Sequence, residues 1–169
     1  MDYELETWNV IDLFFKNNDN YLTKHHLDSF NDFITNKLPQ TFKQYNPQIL
    51  YKELISSDNY KYEINIYYGG KEGNKIYIGK PIIYKEEDGD EIKKQMFPNE
   101  ARLRNLTYSS HIFCDIVVEY KIQGIDEPVV KQFDKVSIGR IPIMLRSKLC
   151  SLHNSGFELS KQMGECPYD

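Results

Sequence analysis

Apolar residues recur along this chain in two different periods, and the change of period divides it. Trp8, Ile11 and Phe15 fall at helical spacing, with Leu13 and Phe14 broadening the stripe, so a helix is predicted over 6–16. The polar run NNDN breaks it. A second helix follows, with Thr23 as N-cap, Leu22 placed to staple onto Leu27, and Phe30, Ile34 and Leu38 continuing one face until Pro39 ends it.

From residue 60 the period drops to two. Tyr60, Tyr62, Ile64, Ile66 and Tyr68 alternate with Lys61, Glu63 and Asn65, which predicts a half-buried strand with its apolar set inward. Gly69-Gly70 and Gly73-Asn74 bracket a turn, and 75–85 reads as the partner strand, with a bend or sheet edge at Pro81. The clearest pattern comes next: Leu106, Tyr108, Ile112, Cys114, Ile116, Val118, Tyr120 and Ile122 share one parity, interrupted by Ser110, so one long strand buries a continuous face. A turn at 123–126 leads to a return strand over 128–143, in which Gly139 marks a bulge or a close approach and Pro142 the end. A short helix is predicted over 157–163, stopped by Gly164. Helices first and strands afterwards give an α+β fold, N-terminal helices followed by a mainly antiparallel sheet.

Composition narrows the function classes. The 169 residues suit one domain, and 40% hydrophobic with 14% aromatic content is that of a folded chain. No run approaches the ~20 consecutive apolar residues of a membrane span, and the start MDYELETW lacks a secretory pattern, so synthesis in the cytosol is expected. Cys114, Cys150 and Cys166 are widely spaced and read as reduced thiols. A net charge of −4 restricts any nucleic-acid contact to a local patch or one shared with partners.

Local catalytic signatures are missing: there is no G-x-S-x-G, P-loop, dinucleotide fingerprint or H-E-x-x-H. EEDGDE at 86–91 lacks the continuing ligands of a calcium loop and reads as a solvated turn beside a basic surface pair. His25 and His26 sit about 100° apart on a helix, unlike a metal pair at i and i+4. His111 and Cys114 have opposite strand parity, which separates a base from a nucleophile. No aspartate cluster suited to nucleotidyl transfer is present.

Three stretches carry more specific wording: FPNEARLRNLTYSS at 97–110, KVSIGRIPIMLRSKLC at 135–150 and GECPYD at 164–169. In that order, with long strand material between, they resemble the N-terminal part of the second-largest subunit of multi-subunit DNA-directed RNA polymerases. The layout from Leu22 onward is similar to that family, whose wording also suits large DNA viruses. The resemblance implies the protrusion, an α+β module on the rim of the active-site cleft. It implies a single domain over 1–169, incomplete at its C-terminal end, because the family continues past ECP-x-D with a glycine pair and a hydrophobic strand.

It implies further that the segment binds no cofactor, that the magnesium ion of the assembled polymerase is held through another subunit, and that the segment alone is inactive. Partners would be the other polymerase subunits, including the largest, with DNA template and RNA but no membrane. The location would be a nucleus, viral factory or virion. Within this frame Arg140, Arg146 and Lys148, with one of Arg102 and Arg104, are candidates to face phosphates. Arg102 and Arg104 diverge by about 200° on a helix, so the other is expected to pair with a carboxylate. Ile138, Ile141, Ile143 and Met144 are expected in the core, and Tyr108 as a packed ring with a satisfied hydroxyl. The alternative is a stand-alone protein-interaction or nucleic-acid-binding domain on the same scaffold.

Overall fold

Two long strands form the spine of the molecule in a computed structural model that describes residues 3–17, 21–55, 60–87, 90–153, 155 and 164–165. Helix α1 spans Tyr3–Asn17, and α2 spans Lys24–Asp32. Thr23 does stand at the N-cap of α2, with its carbonyl accepting from the amides of His26 and Leu27, but its hydroxyl makes no capping bond. Leu22 is 80% exposed, so the expected staple onto Leu27 does not form.

Pro39 does not end the helical run. A π-helical turn at Phe33–Lys37 follows α2 directly and leads into α3, Leu38–Tyr45, with Pro39 in its first turn. Inside a continuous run a proline has no N–H to donate to the preceding turn and its ring crowds that turn; the wider turn before it, closed by the Leu38 amide on the Phe33 carbonyl, takes up the ring.

The sheet comprises β1 (Gln48–Leu54), β2 (Tyr60–Tyr68), β3 (Ile76–Ile78), β6 (Ser109–Ile122) and β7 (Val129–Pro142). The predicted ribbon of β6 and β7 is present, with a register shift between Ile112 and Phe113 beside Gly139. Strand β1, between α3 and β2, has no alternating pattern to announce it.

The expected hairpin between β2 and a single strand over 75–85 is replaced by another arrangement. The stretch breaks at 79–81, where Pro81 is buried, and β3 pairs with β6 instead of β2. Strand β2 pairs with 116–122 of β6 and β3 with 112–114, so both lie along the same edge of β6, while β7 occupies the other. The glycine turn bridges the gap between them: the Gly70 amide donates to the Asp115 carbonyl, and the Asp115 amide to the Lys75 carbonyl. The remaining strands, β4 (Ile82–Glu87) and β5 (Asp90–Gln95), form a separate hairpin whose tip, 88–89, lies outside the described residues. So does the helix expected over 157–163.

The two faces of the sheet are not buried as alternation alone predicts. On β2 the deeply buried side chains are Glu63 (8% exposed) and Asn65 (2%), whereas Ile64 and Ile66 are half-buried. The apolar side is partly covered at one end, where the Asn46 amide after α3 bonds both the N–H and the C=O of Tyr68. A small second core joins Ile143, Cys150 and Leu152 to Phe30, Phe97, Tyr108 and Ile141. Ile138, which lies beside Phe42 and Tyr68, and Met144, both expected inside, are exposed by more than a third.

Candidate nucleic-acid interface

Helix α4 occupies Pro98–Leu103, with Pro98 in its first turn and Ala101 buried beneath it. Proline's fixed φ and missing N–H suit that start, and Glu100 and Ala101 are good helix formers. The loop 143–153 packs under this helix. Ser151 Oγ donates to the Met96 carbonyl at 2.7 Å, and the Ser151 amide donates to Tyr108 Oη at 2.9 Å. Tyr108 in turn donates to Cys150 Sγ at 3.4 Å, and burial first, then that contact, pushes its hydroxyl pKa well above the ordinary tyrosine range. Tyr108 is thus the packed, satisfied ring expected, and its bonds cross-link the corner.

The five cations selected from sequence divide by what they touch. Arg104 caps α4 and reaches back to Glu100, Nη2 to Oε1 3.4 Å, the internal pairing expected of one member of its pair. Arg102, in the last turn of α4, is exposed. Arg146 takes a left-handed backbone (φ 65) and its Nη1 donates to the Ser155 carbonyl at 2.8 Å, which commits this guanidinium to holding the loop. Lys148 is exposed, its position fixed by its own amide donating to Asn31 Oδ1 at 3.0 Å. Arg140 is exposed on β7 directly opposite His111. Arg102 and Lys148 therefore stand on the two elements of one corner, and Arg140 on the strand that leads into it.

A second charged arrangement, not foreseen from sequence, covers the polar face of the sheet. Three carboxylates there are nearly buried, and each meets lysines at its rim. Glu63 Oε2 lies 3.0 Å from Lys52 Nζ, and its Oε1 is 3.3 Å from Lys121 Nζ and accepts from Asn65 Nδ2 at 2.8 Å. Asn65 first, then the two lysines, hold the Glu63 carboxyl at a pKa of about 2, against 4.5 ordinarily. Glu119 pairs with Lys71 and accepts from Tyr67 Oη at 3.2 Å; Lys71 chiefly lowers its pKa. Asp115 accepts from the Lys135 amide at 3.0 Å and faces Lys75 Nζ at 3.8 Å. Shared parity could have shown these residues to be neighbours; their burial carried no sequence signal.

Among the described residues no group of three or more His, Cys, Asp or Glu side chains is placed to hold a metal ion. The exposed rings of His25 and His26 touch at 4.0 Å. His111 and Cys114 lie on opposite faces of β6, and burial raises the Cys114 thiol pKa. An open hollow of about 280 Å³ between α3 and the sheet, lined by Phe42, Tyr45, Tyr68 and Ile138, contains no acid and no histidine. Among the described residues no helix is long and apolar enough to cross a membrane.

Comparison with known proteins places these elements. The family described as RNA polymerase beta subunit matches residues 21–169. The DNA-directed RNA polymerase subunit Rpo2N of Methanothermobacter thermautotrophicus is 36% identical over 162 residues, covering 96% of this chain and 27% of that protein. The DNA-directed RNA polymerase II subunit RPB2 of Encephalitozoon cuniculi is 33% identical over 165 residues, covering 96% of the chain and 13% of the relative. The DNA-directed RNA polymerase II subunit 2 of Arabidopsis thaliana is 33% identical, with 97% and 14% covered. The chain thus spans about a quarter or less of the length of these relatives.

Proposed function

Since this chain belongs to the RNA polymerase beta subunit family, we propose that it serves as the N-terminal, noncatalytic cleft-wall module of a second-largest subunit, supporting DNA-templated RNA synthesis. The observation that carries this reading is the hydrogen-bonded corner of α4 and the loop 143–153. It lies within the matched residues, and it presents Arg102 and Lys148 outward while Arg104 and Arg146 are engaged internally.

Such a module contributes shape and fixed positive charge. Cations on a rigid support neutralise phosphates and release counterions, giving affinity that depends on salt and not on sequence. Arg102, Arg140 and Lys148 take that role; Arg104 and Arg146 position the elements that carry them. The catalytic magnesium ion belongs to another subunit, and the largest subunit, DNA template and RNA are the partners in the assembled enzyme. The half-exposed apolar side of the sheet and the exposed apolar stripe of α1 are surfaces for polymerase sequence of the kind the longer relatives carry.

The test is charge reversal in an assembled polymerase. Arg102→Glu, Arg140→Glu and Lys148→Glu are expected to loosen a DNA–RNA scaffold at rising salt, each lowering the salt slope by about one per phosphate contact removed. Retention with unaltered salt dependence in the triple variant rejects the phosphate-facing role.

A further inference from the structure

On the polar face, past the last lysine–carboxylate group, the residues at the exposed end of the ladder turn aromatic. Tyr77 of β3 is paired directly with Phe113 of β6, which puts both rings on one side of the sheet. His111, two residues earlier on the same face, lies beside Phe113 with ring centroids 5.9 Å apart and planes inclined by 24°. Tyr77 is 41% and Phe113 36% exposed. Lys135 Nζ stands 5.7 Å from the centre of the Tyr77 ring, and Arg140 is opposite His111.

The arrangement is fixed from below by Asp115. Its carboxylate accepts from Tyr77 Oη at 3.4 Å and from the Lys135 amide at 3.0 Å, and it faces Lys75 Nζ at 3.8 Å. These contacts tie the Tyr77 ring and the backbone that carries the neighbouring cation to the floor of the sheet, so less ordering remains to be done when something lands on them.

We propose that Tyr77, Phe113 and His111 form a stacking platform for the bases of single-stranded nucleic acid, with Lys135 and Arg140 placed to meet the phosphates. Exposed rings in a row on a rigid sheet offer π-faces to any base in turn, and flanking cations follow the backbone. Local charge agrees: Lys75 and Lys135 balance the two acids close to Tyr77, Asp115 and Asp134, and Arg140 opposite His111 adds a positive charge. A duplex does not suit the site, because its bases are stacked on one another and their faces are unavailable. The platform goes beyond the phosphate-facing role of Arg102 and Lys148, since it needs rings and unpaired bases.

The experiment measures fluorescence anisotropy of a labelled oligothymidylate and of a mixed-sequence duplex of equal length, with the full chain and with Phe113→Leu and Phe113→Tyr. Leucine keeps an apolar side chain without a π-face; tyrosine keeps the ring. The single strand is expected to bind the unsubstituted chain more tightly than the duplex. Phe113→Leu should weaken it about tenfold, within the usual range for one stacked base, while Phe113→Tyr retains it and thermal unfolding of both variants is unchanged. Equal binding of the two probes, or full single-strand binding by Phe113→Leu, overturns the platform. So does absence of single-strand binding while Phe113→Leu loses another polymerase subunit in co-purification, which makes the patch a protein contact. Arg102→Glu and Lys148→Glu, run beside these, report on the cleft-wall role separately.

Discussion

Glu63 shows how far a single side chain can depart from what its neighbours in sequence announce. The alternation in β2 is legible, and it identifies correctly which residues share a face; it says nothing about what lies over each face. Lys52 and Lys121, from strands on either side, together with Asn65, turn a carboxylate on the polar parity into one of the more buried groups of the sheet. The consequence is a pH dependence. A carboxyl held at a pKa of about 2 in the folded chain and near 4.5 when unfolded adds stability that is complete above the higher value and lost as pH falls toward the lower. Urea unfolding midpoints are expected to fall between about pH 5 and pH 2, and Glu63→Gln should flatten that fall. An acid profile identical in the variant would assign the effect to other carboxylates, with Glu119, also lowered, first among them.

Local signals were sound for α4 and for the long ribbon. Pro98 and the good helix formers after it mark α4, and the parity of β6 and the turn after it mark the ribbon with β7. They failed where pairing is decided at a distance. The glycines after β2 were read as a hairpin turn, yet β3 finds β6, more than thirty residues on, because β6 offers a free length of edge beyond the end of β2. Pro39 likewise looked like a stop, and a π turn absorbed it. Within the glycine turn, Gly73 has a requirement of its own. Its φ is +71, and a Cβ placed there would stand 2.7 Å from the Lys43 amide nitrogen and 2.9 Å from the Lys43 Cα of α3. Neither backbone atom can rotate away. Gly73→Ala is expected to cost more than about 1 kcal/mol, read as a lowered unfolding midpoint; an unchanged midpoint would mean that α3 is not held against this turn.

At the scale of the whole molecule, the corner motifs were legible because their residue types are specific, and the division of labour among the cations was only partly so. One internal pairing was expected and is found at Arg104; the anchoring of Arg146 to Ser155 depends on a left-handed backbone that no side-chain pattern reveals. Apolar surface remains large: Trp8, Val10 and Leu13 of α1 and Ile49, Tyr51 and Phe133 of the sheet are each at least half exposed or close to it. Linked to further sequence of the kind its relatives carry, the chain is expected to unfold at a higher temperature and over a narrower range than the 169 residues alone. An already sharp transition that the added sequence leaves unaltered would count against the proposed role of these surfaces.

The placement of β2 and β3 end to end along one side of β6, with β7 along the other, also decides how the piece carries load. Tension along β6 is shared, over most of its length, by flanking rows of bonds in shear on both sides, so it is not peeled away one bond at a time there. The strand that bears the aromatic row is thereby braced from both sides, a mount suited to side chains that must hold position under load.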